Sequence, residues 1–135
     1  MNEVRIVIAD DSKVITESLT STLKLVDGFV VVGTATEGSQ AIELVKELQP
    51  DVLVLDIHMP STNGTAILHE LRKNGAAVKI VVFTLDTSTA MKRICLHAGA
   101  DYFLNKFQIS ELVAICSETL RLKRTDCCGG PGCAS

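Results

Sequence analysis

Five short apolar runs constrain this chain more than any other feature: Val4 to Ala9, Phe29 to Ala35, Val52 to Leu55, Val78 to Phe83 and Tyr102 to Leu104. Each is about one strand long and mostly lacks polar alternation, the pattern of strands buried on both faces. Between them lie stretches with helical spacing: Ile15, Leu19, Leu23 and Val26; Ala41, Leu44, Val45 and Leu48; Ile67, Leu68 and Leu71; Met91, Ile94, Cys95 and Ala98; Ile109, Leu112, Val113, Cys116 and Leu120. Asp27-Gly28, Gln49-Pro50, Asn74-Gly75 and Gly99 stand where helices should stop, and Ser12, Ser39 and Thr87 stand near helix starts. The alternation predicts an α/β, doubly wound (βα)5 fold with a five-stranded parallel sheet covered by helices on both faces.

Composition sets the scale of that fold and the kind of partner. At 135 residues, 47% hydrophobic and 21% charged, the chain suits one domain with a real core. That domain is expected over residues 1–122. Residues 123–135, KRTDCCGGPGCAS, have no apolar periodicity and are expected to be a flexible tail, with Cys127, Cys128 and Cys133 able to bind a soft metal, oxidise or be lipidated. A net charge of -3, with Lys and Arg scattered, argues against direct nucleic-acid binding and against an anionic membrane, so protein partners are expected. The start, MNEVRIVIADD, has too short an apolar run for a signal peptide, and a cytoplasmic home is expected. Five Cys is an odd count, with Cys95 and Cys116 inside amphipathic patterns, which argues against a secreted disulfide framework.

Ligands of open parallel sheets gather beyond the carboxyl ends of the strands. There the sequence places Asp10 and Asp11 after the first strand, Asp56 after the third, Thr84 after the fourth, and Asn105 and Lys106 after the fifth. Three acids, a hydroxyl and an ammonium would share one edge. Singly, each has an ordinary reading: acids at a helix N-terminus, a strand-end hydroxyl bonded to backbone, a solvated lysine. Together they suit phosphoryl transfer. A carboxylate can act as nucleophile toward phosphorus, and the rest of the work is positioning and charge neutralisation. Mg²⁺ takes oxygen ligands from a couple of carboxylates, water and phosphoryl groups, and would relieve repulsion among three acids. His58, His69 and His97 are not at metal-ligand spacing, so no zinc site is expected.

Over residues 3 to about 122 the sequence resembles the receiver domain of two-component response regulators. The resemblance is carried by the acidic pair after the first strand, Asp56 in VLDIHMPSTNG, Thr84 in VVFTLD and Lys106 in AGADYFLNKF. The stretch VVGTATEGSQAIELVKELQPDVLVLDIHMP further resembles NarL/FixJ-type receivers, here without the DNA-binding module that such receivers usually carry. The resemblance implies the flavodoxin/CheY-like strand order 2-1-3-4-5. It implies Asp56 as the phosphoacceptor, Asp10, Asp11, Asp56 and the backbone carbonyl of His58 as Mg²⁺ ligands, Lys106 and Thr84 as phosphoryl contacts, and Thr84 with Tyr102 as a switch.

By the same resemblance the phosphoryl donor is a sensor histidine kinase or phosphotransfer protein, and the signal leaves through a face of helix 4, strand 5 and helix 5 toward a downstream target protein. Catalysis is then limited to self-phosphorylation and autodephosphorylation. A phosphorylation-dependent dimer stays open, and so does a phosphorylation-independent interaction module. A haloacid-dehalogenase phosphatase would want a second Asp where His58 stands, and a nucleotide-binding module would want a Gly-rich loop where Asp10 and Asp11 stand. The chain departs from many receivers at Phe107, where Pro is frequent, and at Leu85, where a small residue is usual. His58 and Asp86 flank, by resemblance, the path of a hydrolytic water; they either close over it or point separately into solvent.

Overall fold

The computed structural model describes residues 3–59, 63–75, 77–86 and 88–128. Five strands and five helices alternate: β1 (Val4–Ala9), α1 (Lys13–Lys24), β2 (Phe29–Ala35), α2 (Gly38–Leu48), β3 (Val52–Leu55), α3 (Gly64–Lys73), β4 (Lys79–Thr84), α4 (Thr89–Ala98), β5 (Tyr102–Asn105) and α5 (Ile109–Cys128). The strands form one parallel sheet in the order β2-β1-β3-β4-β5, as expected.

Strand residues are apolar on both faces because each face meets a helical layer. Val7, Ala9, Leu53, Leu55, Ile80 and Val82 pack with residues of α2, α3 and α4, whereas Ile6, Ile8, Val52, Val54, Val81 and Phe83 pack with α1 and α5. Period-two alternation is present, but it sorts the side chains between two cores instead of between core and water. Burial relaxes at the sheet edges, in β2 and β5, which have a neighbour on one side only. Cys95 and Cys116 are buried thiols, one in each core; burial pushes the Cys116 thiol up to about 12 and raises Cys95 as well, so both serve as small apolar side chains.

Most helix limits follow local chemistry. Ser12 Oγ accepts the Ile15 N–H, Asn63 Oδ1 the Thr65 N–H and Ser88 Oγ the Met91 N–H, closing the first turns of α1, α3 and α4. Gly99, at φ 123°, ends α4, and Gln49, at φ 47° before Pro50, ends α2. Three limits differ from expectation. Helix α2 starts at Gly38 with Glu37 as N-cap, one residue before Ser39; Glu37 makes no side-chain cap bond, and Gln40 Oε1 instead reaches back to accept the N–H and hydroxyl of Thr36 ahead of the helix. Helix α1 stops at Lys24, ahead of Asp27-Gly28. Helix α5 runs past the domain edge expected at 122 and reaches Cys128, since no Gly or Pro intervenes before Gly129. Lys123, assigned above to the tail, donates to the Glu3 carbonyl and pairs with Asp51 at 2.8 Å. Thr87 and the expected tail from 129 to 135, with Cys133, lie outside the described residues. Among the described residues no peptide bond is cis and no helix is long and apolar enough to cross a membrane.

One glycine is demanded by a close approach. A Cβ on Gly64 would stand 2.5 Å from Ile57 Cβ and 2.6 Å from Ile57 Cα, so α3 begins hard against the residue that follows Asp56. Gly64→Ala is expected to lower stability by about 1 to 3 kcal/mol, since backbone must shift to admit the methyl. Urea unfolding checks this; an unchanged midpoint would contradict the close approach.

Candidate functional site

Sheet hydrogen bonding continues one residue past three strand ends, and that extension delivers the site. The Asp10 N–H donates to the Ala35 carbonyl at 3.0 Å, the Asp56 N–H to the Ala9 carbonyl at 2.9 Å and the Lys106 N–H to the Thr84 carbonyl at 3.1 Å. With β1 and β3 adjacent, the side chains of Asp10 and Asp56 emerge together; with β4 and β5 adjacent, Thr84 pairs with Asn105 and Lys106 follows.

Asp10 and Asp56 are 2% and 4% exposed, and Thr84 is fully buried. Asp11 is exposed, yet one carboxylate oxygen from each of Asp10, Asp11 and Asp56 lies within 4.8 Å of the others. Lys106 Nζ stands 2.7 Å from Asp10 Oδ2 and 2.9 Å from Asp56 Oδ2, with its side chain 11% exposed. Backbone donors hold the other oxygens: the Ser12 N–H reaches Asp10 Oδ1 at 2.9 Å, and the His58 N–H reaches Asp56 Oδ1 at 3.0 Å.

Burial dominates the electrostatics of this cluster. It pushes the Asp10 carboxyl above the usual carboxylate range despite the bonds from Lys106 and Ser12, and the nearby Asp56 adds to the rise. For Lys106 burial alone would lower the ammonium, but the hydrogen bonds to Asp10 and Asp56 outweigh it and hold the group above its ordinary range. Three clustered acids, two of them buried, make an all-oxygen donor set that suits a hard dication such as Mg²⁺ and not a soft metal.

The β5–α5 loop that carries Lys106 is locally built. Gln108 Oε1 accepts the Asn105 N–H at 2.9 Å and Asn105 Oδ1 accepts the Phe107 N–H at 2.8 Å, an Asx turn that leaves Phe107 exposed. Nothing in the sequence marks Gln108 for this role except its place three residues after Asn105. The Lys106–Phe107 bond is trans.

Thr84 Oγ1 accepts the Asp86 N–H at 3.3 Å. His58 turns its imidazole to Asp86, Nε2 to Oδ2 3.2 Å, so the two side chains meet and the reading in which they point separately into solvent is set aside. The Asp86 carboxyl is held below its ordinary range, first by the Ser88 N–H and next by His58. The His58 imidazole therefore takes no part in the acid cluster. Tyr102, expected as a switch, is not gathered in either: it lies upstream on β5, partly exposed, with Lys79 Nζ 5.9 Å from its ring centroid. A concavity of about 620 Å³ at the opposite end of the strands, lined in part by Lys46, Asp51, Lys79 and Thr119, gathers no comparable cluster, and Asp51 there is already paired with Lys123.

Comparison with known proteins agrees with this geometry. The chain is 37% identical over 119 residues to the response regulator MprA of Mycobacterium ulcerans, which covers 87% of this chain and 50% of that protein, so the chain spans about half the length of such relatives. Among solved structures it is similar to the NarL signal receiver domain from Mycobacterium tuberculosis, with a TM-score of 0.79, 30% identity and coverage of 86% of this chain and 97% of that one. It is likewise similar to the response regulator domain of Thermotoga maritima CheB, with a TM-score of 0.79, 26% identity and coverage of 88% and 97%. The response regulator receiver domain model matches residues 6–117, from the middle of β1 to α5, and with acids, hydroxyl and lysine standing at the strand ends, the chain belongs to the response regulator receiver family of two-component signal transduction.

Proposed function

We propose that this chain is a phosphoacceptor whose Asp56 takes a phosphoryl group from a histidine kinase or phosphotransfer protein in the cytoplasm. The observation that carries the reading is the buried Asp56 carboxylate, bonded to Lys106 and flanked by two further acids at the carboxyl edge of the sheet. A nucleophile so placed is confined on the sheet side and reachable from the open edge.

In the transfer, a bond forms from an Asp56 oxygen to phosphorus as the bond from phosphorus to the donor imidazole nitrogen breaks. The His58 N–H fixes the orientation of the Asp56 carboxylate from Oδ1. Lys106 has three N–H donors; two are engaged by Asp10 and Asp56, leaving one for a phosphoryl oxygen. Thr84 Oγ1 accepts from the Asp86 N–H, so its own proton is available to a second phosphoryl oxygen. Asp10, Asp11, Asp56 and the His58 carbonyl would hold Mg²⁺, which when bound supplies positive charge against the phosphoryl oxygens. Output is proposed to leave through α4, β5 and α5, with Thr84 and Tyr102 as the switch, toward a downstream protein or a second copy of the chain.

Asp56→Asn is expected to abolish acid-labile phosphorylation and to leave the fold intact, as is chelation of Mg²⁺. Labelling with radioactive acetyl phosphate and circular dichroism check this. An Asn variant that is still phosphorylated at Asp10 or Asp11 would falsify the assignment, and an unlabelled parent would favour a phosphorylation-independent module.

The Lys106 ammonium has a folded pKa above its unfolded one, so its stabilisation is fully present below pH about 10.4 and is lost as pH rises through the folded value. In EDTA, Lys106→Met is therefore expected to lower stability by about 3 kcal/mol between pH 7 and 9, because two buried carboxylates lose their partner. The gap should narrow in more alkaline solution. Denaturant unfolding at several pH values reads it out, and a gap that widens with pH would contradict the pairing.

His58 and Asp86 meet beside the acceptor, which supports a lid over the hydrolytic approach. Replacing both with Ala is expected to speed loss of the phosphoryl group about two- to five-fold, in line with an exposed ion pair. Decay of the labelled protein that is unchanged or slower would rule the lid out.

A further inference from the structure

Asp86 bonds to three different parts of the fold. Its N–H donates to Thr84 Oγ1, its Oδ1 accepts the N–H of Ser88 at 3.1 Å, and its Oδ2 stands 3.2 Å from His58 Nε2. His58 in turn donates its N–H to Asp56 Oδ1, and Ser88 Oγ accepts the Met91 N–H at 3.2 Å. A continuous path thus runs from the acceptor carboxylate through His58, Asp86 and Ser88 into the first turn of α4.

The helix at the end of that path is unevenly held. Cys95 and Ala98 are buried near its C-terminal end, where the Gly99 carbonyl accepts Arg72 Nε at 2.9 Å. Arg72 Nη1 also donates to the Val78 carbonyl, and its Nη2 pairs with Asp101, so α3, the start of β4 and the end of α4 are stapled together. At the other end Thr89, Ala90, Lys92 and Arg93 are exposed and Met91 is half-buried. A first turn with so little apolar anchoring depends on its cap.

We infer that Asp86 is a positioning residue that couples the loop after Asp56 to the order of the first turn of α4, acting through His58 on one side and Ser88 on the other. The inference deepens the phosphoacceptor reading, on which its signalling consequence rests, by naming the side chain that carries a change at the acceptor toward the output face. It adds a route distinct from the Thr84 hydroxyl, which reaches Asp86 only at its N–H.

No bond joins His58 to Ser88, so purely local effects of replacing them would add. The test is amide hydrogen exchange of residues 89–92 in the unphosphorylated protein for His58→Ala, Ser88→Ala, the double variant, and the same set in an Asp86→Ala background. Each single variant is expected to speed exchange about two- to five-fold, and the double variant no more than the larger single effect. In the Asp86→Ala background His58→Ala should add nothing, while amides of α2 stay unchanged. Effects that multiply, or His58→Ala exchange equal to the parent, would overturn the coupling. A readout that a merely structural cap would not move is the rate of Asp56 labelling by acetyl phosphate: Ser88→Ala should change it at least twofold, and an unchanged rate sinks the positioning role. Because the exchange measurements need no phosphoryl group, they decide the coupling even if the parent is never labelled, a result that would overturn the phosphoacceptor reading alone.

Discussion

Two buried carboxylates held against one ammonium, Asp10 and Asp56 on Lys106, are the interaction around which the carboxyl edge of this sheet is organised. Burying two acids side by side is unfavourable, and the raised Asp10 carboxyl records that cost. The lysine relieves it, but replacing such a buried cluster by apolar side chains is often neutral or stabilising. Stability therefore does not explain the arrangement; the phosphoacceptor role proposed above would, since it concentrates charge where a cation and a phosphoryl group could be received.

The cluster constrains the loops that surround it. Lys106 reaches both acids from a loop shaped by Asn105 and Gln108, and the loop after Asp56 is hemmed in by the approach of Gly64 to Ile57. Asp86 ties that loop to the cap of α4. The strands thus set the clustered charged groups, while hydrogen-bonded loops link them to the helices. The opposite end of the sheet is closed separately, where Asp51 accepts the Arg5 N–H and pairs with Lys123 near the end of α5. Such a division would suit the switch proposed above, in which a stiff core holds the chemistry and a weakly anchored helix turn responds to it.

The order of the elements and the membership of the edge were legible in the chain. Apolar runs such as Val52–Leu55 cannot be exposed, helical spacing names the covering faces, and a charge directly after a buried run marks a strand end at an opening. From these, Asp10, Asp56, Thr84 and Lys106 could be placed on one edge before any coordinates. Their adjacency depended on the parallel order of β1, β3, β4 and β5, which resemblance supplied and periodicity alone could not.

Tertiary structure decided what depends on distance and angle. It put Lys106 on Asp10 as well as Asp56, closed His58 onto Asp86, left Tyr102 outward and carried α5 through residues the sequence reading gave to a tail. None of these follows from composition or period, because hydrogen bonds between loops far apart in the chain are fixed by how strands register, and a lysine-bearing segment such as 123–128 stays helical once a residue like Lys123 finds partners across the fold. The sequence by itself determined which groups lie at the strand ends, since burial and periodicity are local properties; the tertiary structure decided which of them touch, since contact is a property of the packed whole.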